Sequence, residues 1–105
     1  MTESNPVLGI EHFVFVYPPT GFKHVLQVQG NEVKLYTFTA EGCVRPTTDS
    51  EGIGLPIYAE RKGNHLLVTL QFSDGETRTV EGFIDGDYIY FEVFTGEKIL
   101  FLNQC

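Results

Sequence analysis

The sequence predicts an all-β fold, a small antiparallel meander of about eight strands forming a barrel or a strongly curved sandwich. Three observations carry this expectation. Short runs of alternating apolar and β-branched residues recur along the chain. Turn dipeptides separate them, at Gly30-Asn31, Asp74-Gly75, Asp85-Gly86 and Thr95-Gly96. No stretch of useful length repeats apolar residues at the 3.6-residue helical period. Asp-Gly between alternating apolar residues is the strongest short-range hairpin signal, so the segment 66–102 reads as four strands joined by three tight turns.

The elements follow in order. Residues 1–9 form a loose leader. Residues 12–17 (HFVFVY) make a first strand that stops at Pro18-Pro19, which cannot donate ladder hydrogen bonds. Residues 22–29 (FKHVLQVQ) and 33–40 (VKLYTFTA) make the second and third. The pattern then dissolves over residues 41–56, which hold Gly42, Pro46, Gly52, Gly54 and Pro56 among Thr, Asp and Ser. Loops of that length in a small domain are commonly functional or mobile. A fourth strand at 57–61 precedes the turn Lys62-Gly63-Asn64 and the C-terminal meander. Closing the sheet would remove its exposed edges, which favours the barrel. An unclosed edge at 12–17 or 98–102 would permit a homodimer by strand pairing.

Turn positions predict which residues share a face. With two-residue turns at Asp85-Gly86 and Thr95-Gly96, Phe83 opposes Tyr88, and Phe91 opposes Leu100. One face then carries Val80, Ile89, Phe91, Val93, Leu100 and Leu102, a purely apolar core face. The other carries Thr79, Glu81, Phe83, Tyr88, Tyr90, Glu92, Ile99 and Phe101, more rings than a plain solvent face needs. In the hairpin before it, Leu66, Val68, Leu70 and Phe72 form the apolar face. A two-residue Asp74-Gly75 turn sets Val68 opposite Glu81. One further loop residue sets Leu70 opposite Val80 and moves Glu81 to the far face. Turn chemistry favours the first register and core composition the second, which is preferred, since a one-residue slip exchanges the faces entirely.

The 105 residues suit a single domain with one hydrophobic core. Hydrophobic content of 42% and charged content of 20% are those of a globular protein. The formal net charge is -7, and Arg45, Arg61, Lys62 and Arg78 are scattered. Nucleic acid and anionic membrane surfaces are therefore not expected partners. The N-terminal MTESNP lacks the basic and apolar regions of a signal peptide, and no run approaches a bilayer span, so a cytoplasmic location is expected. In that setting Cys43 and Cys105, 62 residues apart, read as free thiols rather than a zinc or redox motif.

Catalytic signals are sparse. His24 alternates in phase with Phe22, Leu26 and Val28 and points inward, where a histidine is more often a hydrogen-bonded core residue than a catalyst. Glu81 and Glu92 would lie diagonally across a hairpin, the pattern an acid–base pair would need. Asp85 and Asp87 are explained by turn chemistry. There is no His-x-His pair, no G-x-S-x-G and no phosphate loop, so no metal or cofactor is expected. Eight short strands in meander order are similar to small lipocalin-like or avidin-like barrels, a likeness of architecture that rests on no motif.

Three functional readings follow. The leading one is a non-enzymatic interaction module that holds a protein partner through Tyr88, Tyr90, Glu92 and Phe101, with Glu81 and His24 nearby, or through the 41–56 loop. The second is a lipocalin-like barrel binding a small apolar ligand. The third is a small acid–base enzyme using His24 with Glu81 or Glu92.

Overall fold

The computed structural model describes residues 10–48, 53–100 and 102–105; the expected leader and Phe101 lie outside the described residues. All the regular structure described is strand: β1 (Ile10–Tyr17), β2 (Phe22–Gln29), β3 (Glu32–Phe38), β4 (Val44–Pro46), β5 (Leu55–Lys62), β6 (His65–Gln71), β7 (Thr77–Asp85), β8 (Tyr88–Tyr90) and β9 (Thr95–Ile99). They form one antiparallel sheet in the order β4-β3-β2-β1-β9-β8-β7-β6-β5. Two meanders, β1–β4 and β5–β9, are joined side by side through β1 and β9. The sheet curls into a half-barrel, so that β5 reaches the turn between β2 and β3. There the Ala59 amide donates to the Asn31 carbonyl at 3.1 Å. The expected all-β meander is present, with β4 a ninth strand inside the segment 41–56. No helix among the described residues is long and apolar enough to cross a membrane.

The concave face is built by period-two alternation. Phe13 and Phe15 of β1, Leu26 and Val28 of β2, Val33 and Leu35 of β3, Leu66 and Val68 of β6, Ile84 of β7 and Ile89 of β8 are all buried in one cluster. At one end the cluster is filled by Phe13, Val28, Val33, Ala59, Leu66, Ile84 and Ile89. Glu11 seals that end. Its carboxylate accepts from Arg61 of β5 at 2.6 Å and lies 3.6 Å from Lys98 of β9. Three positions that face inward by register thus join β1, β5 and β9 by charge. Such partly exposed pairs contribute modestly to stability but orient their strands.

Gly96 belongs to this packing. The sequence places Thr95-Gly96 in a turn; both residues lie instead in β9. A Cβ built on Gly96 would stand 2.9 Å from Ile89 Cγ2 and 3.2 Å from Phe13 Cβ. The glycine is there because two core side chains close over it. The turn lies further back, in residues 91–94, where the Phe91 amide bonds the Phe94 carbonyl at 2.9 Å. Tyr90 consequently opposes Thr95 rather than Phe101. Val93 and Leu100, expected in the core, are 66% and 88% exposed. Ile99 and Leu102 pack on the convex face.

The other two hairpins shift without exchanging faces. The β7–β8 turn is Gly86-Asp87, with Gly86 at φ 62°, so Phe83 opposes Tyr90 and Ile84 opposes Ile89. Moving the turn by one residue changes each pairing by two and preserves the faces. In the β6–β7 hairpin the loop is Ser73-Asp74-Gly75, closed by the Phe72 amide on the Glu76 carbonyl at 2.8 Å. Val68 opposes Val80, and Leu70 opposes Arg78. Neither expected pairing is adopted, yet Val80 shares the core face and Glu81 the opposite one, as the preferred register requires.

Among the described residues the convex side is covered at one end only. Val25, Tyr36 and Val44 are buried there with Val14, Phe38, Ile99 and Leu102 packed against them. The C-terminal residues run beside β4. The Val44 amide donates to the Asn103 carbonyl at 2.9 Å, and the Cys105 amide to the Val44 carbonyl at 3.0 Å. Cys43 and Cys105 form a disulfide, which corrects the expectation of free thiols. The tail brings two distant cysteines together, a juxtaposition no local pattern announces. It also covers the β4 edge. At the opposite edge, β5 carries Pro56 and a bulge between Pro56 and Tyr58, devices that blunt edge pairing. Strand β1 pairs along its length with β2 and, over His12–Val14, with β9, so only the 15–17 part of the segment considered as an edge lacks a β9 partner. The expected strand at 98–102 is replaced by β9 (Thr95–Ile99), which is interior between β1 and β8.

Two measurements check this account. Gly96→Val should destabilise the fold by about 1–3 kcal/mol through overpacking, read from the urea midpoint; an unchanged midpoint would show that Ile89 and Phe13 can part freely. Cys43→Ser should cost about 4 kcal/mol, the chain-entropy value for a loop of this size. A reductant should lower the wild-type midpoint to that of the variant and leave the variant unmoved.

Candidate functional site

Alternation along each strand decides what the two faces offer. At the sealed end inward side chains fill the half-barrel. Towards its other end the same strands diverge, and Phe15, Tyr17, Leu26, Leu35, Val68 and Leu70 wall an open cleft of about 600 Å³. Ile53, Gly54 and Pro56 cross one side of it. A Cβ on Gly54 would stand 2.9 Å from Leu70 Cβ, so this segment lies directly against β6. The β8–β9 loop supplies the other side with a ladder of rings. Phe94 stacks on Phe15 at 4.3 Å between centroids and meets Phe91 at 4.9 Å. The charged and polar residues lining the cleft are Arg78, Thr79, Glu81 and Glu92, with the Glu81 carboxylate itself turned to His65; the Arg78 guanidinium carbon sits 5.8 Å from the centre of the Phe72 ring. The cleft's volume falls in the range of about 300–1,000 Å³ common to small-molecule clefts, which are typically apolar with few polar groups.

The convex face of β6–β9 is different. Tyr88 and Tyr90 alternate with buried Ile89 and therefore point outward, 42% and 41% exposed. Their rings lie 6.2 Å apart. Phe83, opposite Tyr90, is equally exposed and meets the His65 ring edge-on at 5.3 Å. His65 Nδ1 lies 2.8 Å from Glu81 Oε2.

The residues expected to act together are thus divided. Tyr88, Tyr90 and Glu81 occupy the convex face, Glu92 stands at the cleft rim, and His24 is buried inside. Phe101 lies outside the described residues. The Tyr88–Tyr90 surface is an exposed patch, neither covered by the N-terminal strands nor lining the cleft. His24 is 1% exposed. Its Nδ1 is 3.1 Å from the Thr37 hydroxyl, which is 2.6 Å from the Thr47 hydroxyl. Phe15 and Tyr17 flank its ring. This polar chain ties β2, β3 and the segment after β4 together. Glu81 and His24 stand on opposite faces of the sheet, so that acid–base pair does not form.

Sequence reading missed the cleft residues Phe15, Tyr17, Leu35, Arg78 and Phe94. Faces were legible only in the C-terminal meander, where the turns set the register, so the inward side chains of the first and third strands carried no signal for a cleft. Phe94 carried no signal, because its loop was read as strand. The chain matches no family model, no curated protein and no solved structure.

The two faces predict opposite responses to substitution. Thr37→Val, which breaks a buried hydrogen-bond chain, should cost about 1–3 kcal/mol. The pair Tyr88→Ala and Tyr90→Ala should cost under about 1 kcal/mol, as exposed cross-strand side chains do. Chemical denaturation of both variants checks this; unfolding of the tyrosine variant would place those rings in the core.

Proposed function

We propose that this protein is a binding module whose half-barrel cleft takes a small apolar ligand. One observation carries the reading: the concave core is filled at the Glu11 end and open at the other, leaving about 600 Å³ walled by aromatic and aliphatic side chains. An apolar surface of this kind costs free energy while it faces water, about 25 cal/mol per Å². A ligand that covers it recovers that free energy. The walls are strands of one hydrogen-bonded sheet, so the site is largely preformed and little ordering cost opposes binding. The Phe15–Phe94–Phe91 ladder favours a ligand with a flat or unsaturated portion, since rings stack offset at these separations. The residues supporting this reading only bind; it requires no reacting group.

The Cys43–Cys105 disulfide supports an oxidising compartment in preference to the cytoplasm expected from the N-terminal residues.

Titration with N-phenyl-1-naphthylamine, a neutral apolar fluorophore, tests the cleft. Fluorescence should rise on binding, and the thermal midpoint should rise with probe concentration by mass action. Leu70→Trp, which fills the cleft from its wall, should weaken the probe by about tenfold or more, a loss of about 1.4 kcal/mol. Its folded signal should survive. Equal binding by this variant would move the site elsewhere, and no binding at the probe's solubility limit would end the reading.

A further inference from the structure

We propose a second, separate site: the convex face of β7–β9 docks an arginine-bearing segment of a partner protein, with a guanidinium stacked on Tyr88 between Asp85 and Glu97. The register places these three residues in one row. Tyr88 opposes Asp85 on β7 and Glu97 on β9, so one exposed ring has a carboxylate-bearing position on each neighbouring strand. Adjacent strands lie about 4.8 Å apart, a spacing that lets carboxylates reach a cation seated over the ring between them. The next row, Phe83 and Tyr90, adds an apolar shelf against which the rest of the segment can lie.

Charge on the molecule is distributed to suit this occupant. Asp85, Asp87, Glu97 and Glu81 are exposed on or beside the face. The cations are placed elsewhere. Arg61 and Lys98 are drawn to Glu11 at the sealed end of the half-barrel. Lys23 lies over the Phe38 ring, and Arg78 faces Phe72 at the cleft. Lys34 and Arg45 are on β3 and β4. Lys62, at the margin beside His65, is 3.7 Å from Glu60. Like-charged ligands such as nucleic acid or an anionic bilayer are repelled by the same arrangement. Arginine suits it better than lysine, because a planar guanidinium can stack on a ring and still present its edge to carboxylates, whereas an ammonium is a strongly hydrated point charge. The cation–π attraction adds to the ion pairing.

The test uses the whole oxidised protein, isotope-labelled, with two short peptides identical but for arginine or lysine at the central position. The arginine peptide should shift the amides of residues 83–90 and 95–97 and bind more tightly than the lysine peptide, by about fivefold or more. Tyr88→Ala should weaken it by about threefold to fivefold, as should the joint change Asp85→Asn and Glu97→Gln. Glu32→Gln, an exposed carboxylate at the start of β3, should change nothing. Each variant should keep the wild-type affinity for N-phenyl-1-naphthylamine if that probe binds the cleft, and its amide dispersion in any case, which shows the fold intact. Equal binding of both peptides, shifts spread over every acidic surface, or indifference to Tyr88→Ala would each overturn the proposal. So would shifts in the same amides on raising protein concentration alone, which would make a second copy the occupant.

Discussion

A sheet with one apolar face must bury that face, and among the described residues this chain provides neither a second sheet nor a helix to do so. The remaining solution is for the sheet to curl upon itself, and the other features follow from that requirement. Curling demands that facing strands approach closely at some point inside. Here the facing approach is between β5 and the β2–β3 turn, and the bend is tightest at β9, where Ile89 and Phe13 of its two neighbouring strands close over Gly96 and any side chain would collide with both. The Ala59–Asn31 hydrogen bond and the Glu11 ion pairs then hold the far strands in place from the rim. A half-barrel closed tightly at one end diverges at the other, because strands twist and cannot stay in contact along their whole length. The cleft is therefore a geometric result of how the core is packed at the opposite end.

The same constraint accounts for the covering of the outer face. β2 is buried on both sides, its inward His24, Leu26 and Val28 by the half-barrel and its outward Val25 by β4 and the tail. A three-residue strand such as β4 holds few ladder hydrogen bonds of its own. The tail adds two backbone bonds to it and the disulfide removes the tail's freedom to leave. The β6–β9 half receives no such cover from the described residues, and its outward rings stay exposed among them. Exposed Tyr and Phe in a contiguous patch are costly to keep there unless something uses them, and their neighbours are carboxylates rather than the lysines that commonly protect a sheet edge.

Much of the fold was legible in the sequence because period-two alternation survives small errors in turn position. Displacing the Asp85-Gly86 turn by one residue left Ile84 and Ile89 together inside and Phe83 and Tyr90 together outside. Asp-Gly announces that a turn is near; the packing of the whole sheet selects which residues occupy it. Thr95-Gly96 shows where that logic fails. A glycine can be required for positive φ or for the absence of a side chain, and the sequence does not distinguish the two. Reading the second as the first moved β9 towards the C-terminus and put Val93 and Leu100 in the core.

The candidate sites were less legible, for a related reason. Alternation tells which face a residue shares but not whether that face is filled, open or covered, since those depend on strands distant in sequence. Phe15 and Phe13 are indistinguishable as inward aromatics of β1, yet one closes over Gly96 and the other stacks on Phe94 at the cleft. Glu81 and Glu92 looked like a pair because both sat on one predicted face. The loop at residues 91–94 breaks that face, so Glu92 reaches the cleft rim while Glu81 turns outward to His65. What divides the carboxylates also separates the cleft from the convex patch. The cleft draws on the inward side of β1, β2, β3, β6 and β7 with the 91–94 loop, and the convex patch on the outward side of β7, β8 and β9. Ile89 and Gly96 lie between them, the first inward beneath Tyr88 and Tyr90 and the second holding β9 against β1.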